Sequence, residues 1–413
     1  MSARFGFVPV VPPFAGAGQE EAVVAAYMSR LETLGGERWH ADDFGDPDPV
    51  AFVMATGGTE RALLDLHEQR EAAHPGEPVL LVAHPGNNSL PASLEVLARL
   101  HQDGAQGRIV YLRSPDDAEG IAALESALHD LRVRAALHSA RIGLIGAPSD
   151  WLVASSPDPA VVTEVWGPTV VPIPLEDLNV AMDTAAEAGV AAGVDSLAGG
   201  ATETIEPSAG DLTAVAGVYE GLRTLVAEHD LSALTLRCFD IVLERGTSGC
   251  FALSELTDTG VVAGCEGDLV STVGLMWAQL LTGQTPWMAN PAEIDEAENA
   301  LLLAHCTVPR TMVDAYRLRS HFESGLGIGI QGTMPLGPVT LLRIGGSMMD
   351  ALWLAEGEIV ATGDAENLCR TQARIALSSG DVGDLLSAPL GNHIVLVYGH
   401  HADRLAEWWE TML

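Results

Sequence analysis

Lysine is absent from the chain; every one of its 21 basic residues is arginine. Chemistry that needs an ε-amino group for a Schiff base is excluded with it, pyridoxal phosphate enzymes and lysine-dependent aldolases included. So is a Walker-type phosphate loop, which places a lysine on the phosphates. Cysteine is scarce. The five cysteines, at 238, 250, 265, 306 and 369, form no CxxC pair and no even set, unlike a disulfide framework or a structural zinc site. Their apolar neighbours predict buried, reduced thiols. No run of 18 apolar residues is free of charge, glycine and proline, so no membrane-spanning helix is expected. No GxGxxG fingerprint occurs, which argues against nicotinamide binding.

Positive charge is also in short supply, with 56 acidic residues against 21 basic ones and a net charge of −35. Such a surface repels nucleic acid and anionic membrane, so neither is an expected partner. The start, MSARFGFVPVVPPFAGAG, has one arginine, an apolar stretch and small residues, as a signal peptide would. Its three prolines argue against a signal helix, and FGFVPVVPP reads as a first strand running into a Gly-rich turn. The expected compartment is the cytoplasm.

Apolar residues make up 47% of the 413, enough for more than one core. Up to residue 138, short apolar runs (FGFVPVV, AFVMATGG, PVLLVAH, RIVYLRS) alternate with amphipathic stretches. That alternation predicts a doubly wound α/β domain over 1–138, with a mostly parallel sheet covered on both faces. The pattern restarts at RIGLIGAPSDW and continues to about 300, a second α/β domain over 139–300. Its segment 191–209 is small, polar and Gly-rich and reads as a mobile surface loop. Over 301–413 strands broken by glycine turns predict an antiparallel β-barrel, closed by the amphipathic helix ADRLAEWWETML. FESGLGIGIQG (322–332) counts among the barrel strands.

Within the second domain, GCEGDLVSTVG (264–274) sets Glu266 and Asp268 one glycine apart, between an apolar strand and a helix. Ligands of open α/β sheets bind just beyond the carboxyl ends of strands. Two readings stand side by side: a ligand-binding carboxylate pair, or Asp268 as helix cap with Glu266 solvated.

CEGD (265–268), TPWMANP (285–291), LLLAHCTVP (301–309) and GNHIVLVYGHH (391–401) together resemble the L-fucose isomerase and L-arabinose isomerase superfamily, in a divergent branch. The resemblance covers the order of the whole chain, with motif-level matches over roughly 235–400. It implies two Rossmann-like domains followed by a barrel. It also implies a divalent metal, Mn²⁺ or Mg²⁺, and a sugar substrate. The implied ligands are Glu266, position 289 or 290, and His393, with His305 added in arabinose-type members. Closed oligomers, a trimer or hexamer, are implied as well. The isomerases carry an acidic residue where this chain has Ala289 and Asn290, and an asparagine carbonyl coordinates a cation without supplying charge or a base.

An aldose–ketose isomerase moves a proton between two adjacent carbons while a cation polarises the substrate oxygens. Glu266 is the first candidate for ligand and base together, and His393 for a second ligand. His305, at a strand end, is a candidate ligand or substrate contact. His321 and Glu323 read as alternate residues of one strand. Glu323 is therefore the candidate replacement for the missing second carboxylate, since a buried glutamate needs a partner. Arg370 could hold a phosphate, sulfonate or carboxylate, or pair with a local acid. Asn392 completes the candidate substrate contacts. Two other readings stay open: enolisation leading to elimination, carbon–carbon cleavage or epimerisation of an acidic sugar, and a sugar-binding regulator without catalysis.

Overall fold

The computed structural model describes residues 4–12 and 21–413. They fall into two compact units, one drawn from Met1–Ala136 and Glu407–Leu413, the other from Leu137–Ala406. The Gly-rich turn expected after the first strand lies outside the described residues.

The first unit is built on five parallel strands: β1 (Phe5–Val10), β2 (Gly36–Arg38), β3 (Val50–Met54), β4 (Val79–Ala83) and β5 (Gly107–Tyr111). Their order is β2-β1-β3-β4-β5. Strands β3 and β4 are buried at every position, as strands covered on both faces must be. Gly6 is dictated by packing, because a Cβ there would lie 2.0 Å from the Trp39 ring. The end of the C-terminal helix belongs to this unit, and the Trp408 indole donates to the Asp130 carbonyl (3.2 Å).

The second unit begins with another parallel sheet, made of β6 (Arg141–Ile145), β7 (Thr169–Ile173), β9 (Ala233–Leu236) and β10 (Val262–Cys265) in the order β10-β9-β6-β7. The two-residue β8 (Glu203–Thr204) lies elsewhere. The first half of the segment read as a mobile loop belongs to the helix Glu187–Gly199, and β8 follows. Two glycines of that helix serve close packing: a Cβ on Gly189 would meet Glu220 Oε2 at 2.4 Å, and one on Gly193 would meet the Ala216 Cβ at 3.1 Å. Composition that suggests a loop is here the mark of a helix pressed against its neighbour.

A closed antiparallel barrel follows, ordered β11-β12-β17-β16-β15-β18. Its strands are β11 (Trp287–Asp295), β12 (Ala300–His305), β15 (Gly337–Gly345), β16 (Ala351–Thr362), β17 (Thr371–Ser379) and β18 (Ile394–Tyr398). The barrel thus opens at Trp287, ahead of the expected boundary at 301. Between β12 and β15, β13 (Ala315–Arg319) and β14 (Gly329–Thr333) form a separate three-stranded sheet with β8. The run 322–332 is therefore no barrel strand; its first half is a turn and its second half is β14. Trp287, Ala289, Leu301, Leu303, Leu341, Ile394 and Leu396 share one buried cluster. Alternate residues such as Met288, Leu342 and Val395 consequently point outward.

The helix Leu269–Thr282 joins sheet and barrel. Eleven of its positions are buried, on all sides, which marks a helix enclosed by protein. It packs on β9 and β10 and on the outer barrel wall at β15 and β18. Gly274 makes the close approach, its Cβ position standing 3.4 Å from both Leu342 and Val395.

Candidate functional site

The turn from β10 into this helix is the centre of the site. Glu266 has φ 64° and Gly267 φ 75°, so two consecutive residues are left-handed. Gly267 has no alternative, since a Cβ would sit 2.6 Å from the Ala147 carbonyl oxygen. For Glu266 the conformation is an uncommon one, costing about 1–3 kcal/mol, and such outliers concentrate at functional sites. The turn is held by three backbone bonds: Gly267 N–H to the Leu236 carbonyl (3.1 Å), Asp268 N–H to the Cys265 carbonyl (3.1 Å) and Ser149 N–H to the Glu266 carbonyl (2.8 Å).

Asp268 is fully buried. It caps the helix, accepting from the Ser271 backbone N–H (2.8 Å) and the Ser271 hydroxyl (2.7 Å). The structure bears out Asp268 as the helix cap but not the solvated Glu266 paired with it, which is buried. Asp268 also accepts from His393 Nδ1 (2.8 Å) and pairs with Arg343 Nη1 at 3.4 Å. Arg343 in turn donates to the hydroxyls of Ser271 (2.5 Å) and Ser155 (2.6 Å). Burial alone would push the Asp268 carboxyl up; the Arg343 guanidinium and His393 more than offset it and hold it at about 2. It is an anion throughout the working range of pH.

That anion dictates the state of His393. The residue precedes β18 directly and is completely buried. An ionised carboxylate only accepts, so the Nδ1 of His393 carries a proton, the arrangement that aims the other ring nitrogen. Nε2 is buried, has no hydrogen-bond partner among the described residues, and lies 3.8 Å from Glu266 Oε2. That gap is too long for a shared hydrogen bond, and a cation bound by both atoms would fit it.

Glu266 itself is mostly buried, with its side chain 12% exposed. Its Oε2 accepts from the indole Nε1 of Trp151 (2.7 Å), while its Oε1 accepts no hydrogen bond among the described residues. Trp151 packs edge-on against Phe239 (5.0 Å between centroids), and Phe239 does the same against His321 (5.5 Å). His305 ends β12 and is buried; its Nδ1 shares a hydrogen bond with the Thr307 hydroxyl (2.8 Å), and its ring stands edge-on to that of His393 (5.7 Å). Asn290 is half-buried on β11 opposite Ala304. Strand β11 pairs Ala289 with Ile394, the residue after His393, and the β11–β18 pairing ends there.

Among curated proteins, the chain is 26% identical over 243 residues to a protein named sulfoquinovose isomerase from Alkalicoccus urumqiensis, covering 56% of this chain and 54% of that one. It is 24% identical over 195 residues to proteins of the same name from Priestia aryabhattai and Priestia megaterium, covering 44% of this chain and 43% of each. The likeness is to sulfoquinovose isomerases. The chain spans about half the length of the curated relatives it matches. No family model matches it.

The remaining candidates divide. Glu323 is exposed in a turn, not buried on a barrel strand, because Gly325 (φ 68°) and Gly327 (φ 58°) curl the chain before β14 starts. The burial argument for it as a second carboxylate lapses, since an exposed glutamate needs no partner. His321 is buried and bonded through Nδ1 to the Ser324 hydroxyl (2.9 Å), also off any strand. Arg370 is buried and pairs with a local acid: Nε donates to the Ser320 carbonyl (2.8 Å) and Nη1 meets Glu366 at 3.3 Å. Asn392 is exposed beside His393.

Four cysteines are buried and Cys369 is half-buried. Cys238 and Cys265 touch, Sγ to Sγ at 3.2 Å. The Cys306 thiol is pushed down by hydrogen bonds from Cys250 and Cys369.

Burial, reinforced by the neighbouring His393, holds the His305 imidazole at about 3 against its usual 6.5. In the unfolded chain this group takes up a proton as pH falls below 6.5, and in the folded chain it does not. Its stabilising contribution is therefore complete above that pH and shrinks as pH falls towards 3. His305→Gln should flatten the acid limb of the stability curve between these values, read as urea midpoints in the presence of a chelator. Equal slopes for variant and parent would contradict the assignment.

Proposed function

We propose that the chain is an aldose–ketose isomerase whose substrate is a sugar carrying an acidic group, with sulfoquinovose the first to test. The observation that carries the reading is the unpartnered Nε2 of His393 facing Glu266 across 3.8 Å, with Asp268 fixing the ring from behind. The names of the similar proteins support the reaction class and suggest the sugar.

Glu266 is the proton-transfer group, and its unengaged Oε1 is the atom for the task. A carboxylate on a strained, tightly anchored turn is held in place before substrate arrives, which favours the transition state over the ground state. Asp268 holds Nδ1 of His393 and so points Nε2 at Glu266. A Mn²⁺ or Mg²⁺ ion fits the donors: Glu266, His393 and the Asn290 carbonyl would hold it. Among the described residues no three His, Cys, Asp or Glu side chains group to hold a metal ion, so the proposed set rests on two such side chains and an amide carbonyl. When bound, the ion supplies polarisation of the substrate's carbonyl and neighbouring hydroxyl.

With Asn290 in the second position and Glu323 exposed, one carboxylate serves both carbons. A one-carboxylate site also suits enolisation of an acidic sugar without return of the proton to the neighbour, which is the second reading. Incubation with Mn²⁺ and sulfoquinovose or simple aldoses in D₂O separates the two. Deuterium at C2 of recovered aldose with ketose formation supports isomerisation; exchange with loss of water or chain cleavage supports the second reading. No exchange with any of these sugars would overturn both.

The assembly proposed is a closed trimer or hexamer, the symmetric arrangement usual for such enzymes. At −35 per chain, subunits repel one another, and salt screens that repulsion over about 8 Å at physiological ionic strength. Light scattering should show the oligomer strengthening from low to high salt. A monomer at both ends of the range would refute it.

A further inference from the structure

We propose that Trp151 forms a carbohydrate subsite: its indole N–H positions Glu266, and its exposed ring face receives the C–H face of the sugar. The inference rests on Glu266 being the proton-transfer carboxylate.

Trp151 is 50% exposed, whereas Trp39, Trp166, Trp277, Trp287, Trp353 and Trp408 are all buried. Loose backbone does not account for this. Two residues before it, Ser149 bonds to the Glu266 carbonyl, and the next residue, Leu152, is 3% exposed and bonded back to Ser149 (2.9 Å). Arg237 adds a bond to the Pro148 carbonyl. A large apolar ring is thus held in water between anchored neighbours, at a cost that burial under a ligand would recover.

The ring is oriented as well as exposed. The Phe239 ring stands perpendicular to the indole (86°, centroids 5.0 Å apart), and the N–H is committed to Glu266. Half of the residue's surface remains open to solvent while its N–H is held at the carboxylate. An apolar face with a polar edge suits a sugar, whose C–H bonds form apolar patches between hydroxyls. Glu266 then divides its work: Oε2 is tied to the indole and turned to His393, leaving Oε1 for the substrate proton.

Two variants separate the two roles. Trp151→Phe keeps a ring and removes the N–H; kcat should fall about 10- to 100-fold, the scale of one hydrogen bond to a charged group, with KM within about threefold. Trp151→Ala removes the face too, and KM should rise at least about tenfold beyond that loss. A role confined to holding the loop would lower the unfolding temperature and leave both constants at their parental values in Trp151→Phe, which overturns the proposal.

Sugar binding gives a readout independent of turnover. Saturation-transfer NMR of sulfoquinovose should show C–H contacts with the parent chain that disappear in Trp151→Ala. Equal transfer to both chains, or none to the parent, overturns the subsite. A parent that binds through Trp151 yet never exchanges protons sinks the proposed reaction and leaves the subsite standing.

Discussion

Glu266→Gln should lose at least about a thousandfold in turnover, since it removes the proposed general base together with its charge. Its folding stability should stay within about 1 kcal/mol, because glutamine keeps the shape and its amide oxygen still accepts the Trp151 N–H. The same variant should bind less Mn²⁺ by mass spectrometry after dialysis, while Asp268→Asn should retain more. Turnover within tenfold of the parent would remove Glu266 from the chemistry.

Asp268→Ala should instead strike the fold. It strands the Arg343 guanidinium, 2% exposed, without its countercharge, uncaps the helix Leu269–Thr282, and frees His393 to rotate. Breaking one half of a buried ion pair costs about 3–5 kcal/mol, and a lost N-cap about 1 kcal/mol more. The loss should appear in the unfolding transition of the second unit. Adding Arg343→Met should recover part of it, because the stranded charge goes too. A change under about 1 kcal/mol in Asp268→Ala would mean that the network is solvated in practice.

How far these groups were legible in the sequence follows from how each is placed. Glu266 and Asp268 announce themselves because they interrupt an apolar strand–helix passage within a few residues. His393 does so because the alternation of Ile394 and Leu396 turns it away from the barrel interior. Both are local signals. Trp151 meets Glu266 across 115 positions of chain, and Arg343 meets Ser155 across 188, distances over which no periodicity carries information. A tryptophan in a Gly-Ala-Pro-Ser-Asp loop just past β6 was the visible sign of the first; nothing marked the second. Glu323 failed for a different reason. Glycine-rich runs read alike as strand or turn, and only left-handed backbone at Gly325 and Gly327 decides between them. The helix Glu187–Gly199 hid in the same way, its glycines answering to a neighbour rather than to a bend. The parallel sheets and the barrel were legible because many residues repeat one message.

The left-handed turn at Glu266 bears on how this chain can change over generations. Glycine or asparagine adopts that backbone more readily, so either would favour the folded state while ending the proposed proton transfer. Selection for stability alone therefore runs directly against the carboxylate. A lineage released from its substrate should discard Glu266 early and lose Asp268, whose removal unbolts the barrel from the helix, late or never. Copies that keep Asp268, Arg343 and His393 but carry a small residue at 266 would then be retired enzymes, recognisable by which half of the turn has eroded.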